Sequence, residues 1–241
     1  MEEAEDQDAV EARRNLYLGQ ALEELHSYET RLSDPKWKRV NYNGDVGISC
    51  YELASEEHGY TLKAEGVVEG KTADKIAAAH RDCNHISRCS WDGADITDIG
   101  LLETVREAKT ADYEAYINIQ YAEHNAGIPG VATREFVYLE FSQSQRSAAN
   151  ANDRHWTILA RYTDHPKRPV RDVPVRALSR TIMMAKPLDP RVDDGLLQIP
   201  RTAVTIVAWV DPGGNVPASV IKLYKTKLAD RIKFLRKTQF V

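Results

Sequence analysis

Near the start of the chain, Leu18, Ala21, Leu22, Leu25 and Leu32 recur at helical spacing and predict a helix over about 8–32. Ser33-Asp34-Pro35 ends it, because proline removes a donor and restricts the residue before it. The period then shortens to two. Segments 46–52 and 60–69 read as strands, with Glu57-His58-Gly59 as the turn between them. Thr72 is placed to cap a short helix, 73–81, whose alanines favour the helical state. After a polar stretch around 82–96, strands are predicted at 98–108, 111–121, 134–142, 154–163, 175–186 and 199–211. In Tyr116-Ile117-Asn118-Ile119-Gln120-Tyr121 and Phe136-Val137-Tyr138-Leu139-Glu140-Phe141 both faces carry bulky residues, so both sides of the sheet should be covered. Asp211-Pro212-Gly213-Gly214 is a strong turn signal before a last helix, about 216–240, with Pro217 in its first turn. Val220, Leu223, Tyr224, Leu228 and Leu235 give that helix one apolar stripe.

Antiparallel strands in succession, with helices at both ends, make an α+β chain. A long antiparallel sheet gripping one terminal helix can enclose a cavity for an apolar ligand.

Composition narrows the class. With 241 residues, 42% apolar and 28% charged, the chain has ample material for a core and is neither collagen-like nor wholly disordered. No run of about 18 apolar residues occurs, and the acidic start has no signal-peptide core. Cys50, Cys83 and Cys89 cannot all pair, so a reducing, cytoplasmic setting is expected. A net charge of −4 argues against a nucleic-acid partner. Yet residues 1–12 carry six acids and no base, while 213–241 carry seven bases and one acid. That basic end suits either an anionic phospholipid surface or a plain solvated helix face.

Catalytic signatures are missing: there is no Walker A loop, GxGxxG, GxSxG, HExxH or CxxC. His80, Cys83, His85 and Cys89 are zinc-ligand types, but two ligand pairs flanking a longer loop are not formed, so no metal site is expected. Asp92, Asp95 and Asp98 lack the glycine and closing glutamate of an EF-hand. Asp153, His155 and Ser142 or Ser144 have no elbow motif to set them as a triad.

Five motifs in order carry a resemblance. Trp37 precedes a Gly-containing turn and Ile48-Ser49-Cys50-Tyr51. Trp91-Asp92 closes the polar stretch after the short helix. Thr133-Arg134-Glu135-Phe136-Val137-Tyr138-Leu139, Val175-Arg176-Ala177 and Asp211-Pro212-Gly213-Gly214-Asn215-Val216-Pro217 complete the series. Together they resemble the START domains, the steroidogenic-acute-regulatory-related lipid-transfer family, nearest in motif to its phosphatidylcholine-transfer branch. The resemblance implies a helix-grip fold over residues 36–241, a curved antiparallel sheet wrapped round the C-terminal helix and enclosing a lipid tunnel. Residues 1–35 would be an acidic extension with its own helix. It further implies one bound lipid, more readily a phospholipid than a sterol, moved between membranes without cofactor or catalysis. A sterol carrier is one alternative. A non-transporting sensor or adaptor, with 8–32 as its protein-binding helix, is another.

The site residues follow from the same resemblance. Arg88-Cys89-Ser90-Trp91-Asp92 matches the branch's Arg-x-x-Trp-Asp, so Arg88 would meet a lipid phosphate and Asp92 would steady it. The branch's choline-cage positions fall on Ile117, Phe136 and Arg180, of which one is aromatic; Tyr116 would compensate if the register slipped by one. Arg180 would repel a choline cation, so an anionic or uncharged head fits at least as well. Trp91, Asn118 and Tyr138 complete the implied lipid-binding set. Glu140, where arginine is common, could pair with Arg180, bind a lipid hydroxyl or lie at the rim. The loop 122–133 would touch membranes through Ile128, Pro129 and Val131, aided by Lys222, Lys225 and Arg236 on the last helix. The protein would then be cytoplasmic and transiently bound to anionic membranes.

Overall fold

The computed structural model describes residues 7–32, 34–42, 44–53, 60–91, 95–110, 113–125, 127–146, 154–192, 197–214, 216 and 218–238. For Ala9, Glu29, Thr30, Tyr60, Trp91, Tyr113 and 218–226 the description stops at the backbone. Helix α1 (Gln7–Leu32) is followed by strands β1 (Lys38–Val40), β2 (Ile48–Leu53) and β3 (Tyr60–Glu69). Helices α2 (Ala73–Arg81) and α3 (His85–Trp91) come next. Strands β4 (Ile96–Lys109), β5 (Tyr113–His124), β6 (Arg134–Arg146), β7 (Arg154–Tyr162), β8 (Val175–Arg176), β9 (Leu178–Val192) and β10 (Gln198–Asp211) lead to α4 (Ala218–Lys237).

The strands form one sheet in the order β1-β2-β3-β10-β9-β7-β6-β5-β4, antiparallel throughout except where β8 adds to β6 in parallel. The return of β10 to β3 brings the two halves of the chain together along ten residue pairs, Val210 with Tyr60 through Arg201 with Glu69.

Alternation assigns the faces. Inner-facing Leu62, Ala64, Ile158, Met183, Val204 and Ile206 pack with Ile76 and Ala77 of α2 and with Leu228, Ala229, Ile232 and Leu235 of α4. Outer-facing Ile117, Ile119, Val137, Leu139, Phe141, Leu159, Ile182 and Val207 pack with Tyr17, Ala21 and Tyr28 of α1. Both sides of the sheet are thus covered, which is why β6 is buried along nearly its whole length.

Local chemistry accounts for the helix positions. Thr72 caps α2 by accepting from the Lys75 amide at 3.3 Å. Asn84 does the same for α3, its Oδ1 accepting from the Ile86 and Ser87 amides at 3.0 and 3.2 Å. That cap lies inside the stretch read as polar connection, where the periodicity of a seven-residue helix is too short to register. The expected stripe of α1 meets the sheet at Leu18, Ala21, Leu25 and Leu32, and the deepest positions lie beside it. Tyr17, Ala21, Glu24 and Tyr28 are the buried stripe, whereas Leu16 and Leu22 are 58% and 52% exposed. The expected strand 175–186 is two elements, β8 and β9, and β9 runs on to Val192. Before α4 the turn depends on Gly213: its φ is +63°, and a Cβ there would stand 2.5 Å from the Arg176 carbonyl oxygen.

Candidate functional site

Between the inner face and α4 the packing opens into a cavity of about 1140 Å3, counted with its mouth. Leu62, Phe136, Ala160, Ala208, Val210 and Leu228 give it apolar walls. Polar groups gather in two places, one deep and one at the rim.

The deep group centres on His80, in the last turn of α2. Its peptide carbonyl is one of those a helix end leaves without an internal partner, and it accepts from Arg88 Nη1. Its ring Nδ1 lies 3.0 Å from Glu140 Oε2. His80, Arg88 and Glu140 are 7%, 4% and 1% exposed. Opposite charges are therefore drawn to one residue in a region from which water is excluded. Burial, reinforced by nearby Glu140, pushes the Cys83 thiol up to about 11.

Register places Asn118 opposite Glu140, Gln120 opposite Tyr138 and Tyr116 opposite Ser142. The Tyr138 hydroxyl donates to Gln120 Oε1 at 3.2 Å. Asn118 Oδ1, Gln120 Nε2, Glu140 Oε1 and Ser142 Oγ are buried with no partner among the described residues. Each such group costs on the order of 1–3 kcal/mol unless something bonds it. Farther along, the Arg81 guanidinium lies 4.3 Å from the Tyr116 ring and 4.5 Å from the Trp156 ring.

The rim group is an ionic clasp. Asp95, just ahead of β4, lies 2.7 Å from Lys227 Nζ of α4 and 3.5 Å from His124 Nδ1 at the end of β5. Burial alone would raise the Asp95 carboxyl, but its bonds from His124 and Lys227 outweigh burial and hold it well below the ordinary range. Arg134 bonds the Pro212 carbonyl at 2.9 Å, tying the turn before α4 to the start of β6.

Of the expected residues, Arg88, Phe136 and Tyr138 line the cavity. Glu140 is buried behind the His80 ring, and Asn118 turns its amide oxygen to the same interior. Tyr116 is on the inner face but lies under Arg81. Asp92 and the Trp91 side chain lie outside the described residues, as do the side chains of Lys222 and Lys225.

Arg180 is a correction. It stands on the outer side of the sheet, its Nε 3.9 Å from Glu24 of α1, because its place in β9 is one residue out of step with cavity-lining Ser179 and Thr181. It therefore neither lines the cavity nor pairs with Glu140, whose partner is His80. Ile117 is likewise packed toward α1, so the supposed cage does not assemble.

Arg236 is a second correction. It donates from Nε to the Val67 carbonyl and from Nη1 to the Val46 carbonyl, both at 2.9 Å. That contact lies at the strand ends remote from the loop of Ile128, Pro129 and Val131, so it clamps α4 to the sheet. Within that loop Pro129 is exposed, and Ile128 and Val131 are half-buried.

His80, Gln120, Asp95, His124 and Lys227 did not emerge as site residues from sequence. His80 stood out only among residues of zinc-ligand type, and the described residues hold no group suited to a metal ion. Asp95 had only a turn-like context.

A START-domain family model matches residues 19–239, opening inside α1 and closing after α4. The ceramide transfer proteins of Homo sapiens and Mus musculus are each 25% identical over 200 residues, covering 78% of this chain and 29% of theirs. The chain thus spans less than a third of the length of those relatives. Human StAR-related lipid transfer protein 5 superposes with a TM-score of 0.64 at 18% identity, covering 96% of this chain and 97% of that one. A STAR-related lipid transfer protein from Xanthomonas axonopodis gives 0.56 at 20% identity over 84% and 97%. The chain belongs to the START family of lipid-binding and lipid-transfer domains, and its sheet gripping a C-terminal helix is that family's fold. These relatives lend no support to a particular place in the phosphatidylcholine-transfer branch.

Proposed function

We propose that the chain binds one lipid between the inner face and α4 and carries it between membranes, and that the lipid's polar end is uncharged, with hydroxyl and amide groups. The row of buried Asn118 Oδ1, Gln120 Nε2, Glu140 Oε1 and Ser142 Oγ, without partners among the described residues, supports this reading most directly. Such a row offers acceptors and a donor to a ligand that presents both, and an amide-hydroxyl head does so. The similarity to ceramide transfer proteins points the same way.

A phosphate at Arg88 is the second reading, favoured by a guanidinium 4% exposed on the cavity wall. It is the weaker one, because Glu140, joined to the same His80, would oppose an anion brought into that space. The apolar area of the acyl chains supplies the driving force, at about 25 cal/mol for each Å2 removed from water.

The loop at Ile128, Pro129 and Val131 and the first half of α4, with Lys222 and Lys225, would meet an anionic membrane during exchange. Association with membranes would then be peripheral: no described helix is long and apolar enough to cross one. Exposed Leu16 and Leu22 on α1 leave room for a protein partner as well.

Native mass spectrometry of the purified protein, followed by organic extraction, tests the ligand class. A co-purifying lipid with a free hydroxyl and amide is expected; a phospholipid or sterol in its place would overturn the uncharged amide-hydroxyl head. Exchange between donor and acceptor liposomes separates a carrier from a sensor that binds without exchanging.

A further inference from the structure

His80 joins two charged side chains that would otherwise be unrelated, taking Arg88 on its peptide oxygen and Glu140 on its ring. Only one oxygen of Glu140 is used by that ring. The other, Oε1, is buried without a partner among the described residues, on the same face as cavity-lining Tyr138 and two residues farther along β6. A carboxylate fixed on one side and open on the other is a directional acceptor, stronger than a neutral carbonyl in the same place.

We propose that the His80–Glu140 pair is the selectivity element of this cavity: Glu140 Oε1 accepts a hydrogen bond from a hydroxyl at the ligand's polar end, and His80 positions the carboxylate to do so. This rests on the reading of an uncharged head and adds which residues impose it. A lipid whose hydroxyls are blocked has no O–H to offer, so Oε1 loses that bond. Phosphorylated lipids bring an anion against an anion. Both are disfavoured by the same atom.

The test is a cycle between protein and ligand, made on the full chain. Ceramide and its di-O-methyl ether are titrated against the wild-type protein, Glu140→Gln, His80→Phe and His80→Gln, with thermal unfolding of each followed in parallel. The wild-type protein should prefer ceramide by about tenfold or more, the range of a hydrogen bond to a charged group. Glu140→Gln should lose most of that preference while binding the ether as before. His80→Phe should lose it too, and His80→Gln, which keeps a donor for Glu140, should restore part of it. A merely structural role would weaken both ligands alike.

Equal wild-type affinity for ceramide and its ether overturns the proposal, and so does a preference that survives in Glu140→Gln. In those cases an uncharged head still stands as the ligand class. If the wild-type protein takes no ceramide but binds ceramide 1-phosphate or a glycerophospholipid, that broader reading fails and the proposal falls with it.

Discussion

Lys227 Nζ stands 2.7 Å from the Asp95 carboxylate, joining the middle of α4 to the rim of the sheet where β4 begins. Both residues line the cavity, and their exposures of 43% and 18% put the pair on its solvent side. Any movement of α4 that opens the mouth there must first separate it. Lys227 is 43% exposed, so solvent screens the bond and its contribution is about 1 kcal/mol. Lys227→Ala is expected to release a fluorescent lipid several-fold faster at nearly unchanged stability. An unaltered release rate would dissociate the clasp from opening.

The pH dependence of that clasp has a defined sign. Asp95 titrates below its ordinary value in the folded chain, because bonds from His124 and Lys227 outweigh burial. Its contribution is therefore complete above the unfolded-state value of about 4 and is lost as pH falls through the lower folded value. The stability difference between wild type and Asp95→Asn should persist down to about pH 5 and shrink only in stronger acid. Urea unfolding at a series of pH values measures it. A difference that vanished near pH 6 would show that another group controls the clasp.

Two-residue alternation made most of the sheet legible, since a strand buried on both faces leaves bulky residues at every position, as β6 does. Two features resisted. Leu18, Ala21, Leu25 and Leu32 of α1 pack on the sheet as their spacing predicts, but Leu22 is exposed, and buried Tyr17, Glu24 and Tyr28 are not what an apolar stripe leads one to expect. Arg180 illustrates the other difficulty: one residue of register moves a side chain from cavity to outer face, and sequence fixes strand ends less tightly than that. His80 escaped because its role depends on meeting Glu140 sixty positions away. Arg88 and Tyr138, which line the cavity, were legible because short motifs carry them.

Glu24 tests the outer face. It is 5% exposed and lies 3.8 Å from Arg161 Nε and 3.9 Å from Arg180 Nε, so it offsets two guanidinium groups under α1. Glu24→Ala leaves them without that counter-charge and is expected to destabilise the fold by about 1–3 kcal/mol. Lipid affinity should hardly change, because α1 and the cavity lie on opposite sides of the sheet. A selective loss of affinity at unchanged stability would return Arg180 to the ligand.

Delivery to membranes separates two sets of bases on α4. Lys222 and Lys225 lie in its first half, whereas Arg236 is engaged with the carbonyls of Val46 and Val67. Surface attraction is screened over about 10 Å at 0.1 M salt, so transfer to anionic liposomes should slow as salt rises. Lys222→Glu with Lys225→Glu should slow transfer and remove most of that salt dependence, with little change in unfolding. Arg236→Glu should instead lower stability by about 1–2 kcal/mol, through lost bonds to the sheet, and leave the salt dependence in place. Transfer is followed by fluorescence dequenching at several salt concentrations for each variant. If the double lysine variant kept the wild-type salt dependence, the first half of α4 would not be the membrane-facing surface, and the loop at Ile128, Pro129 and Val131 would have to act without it.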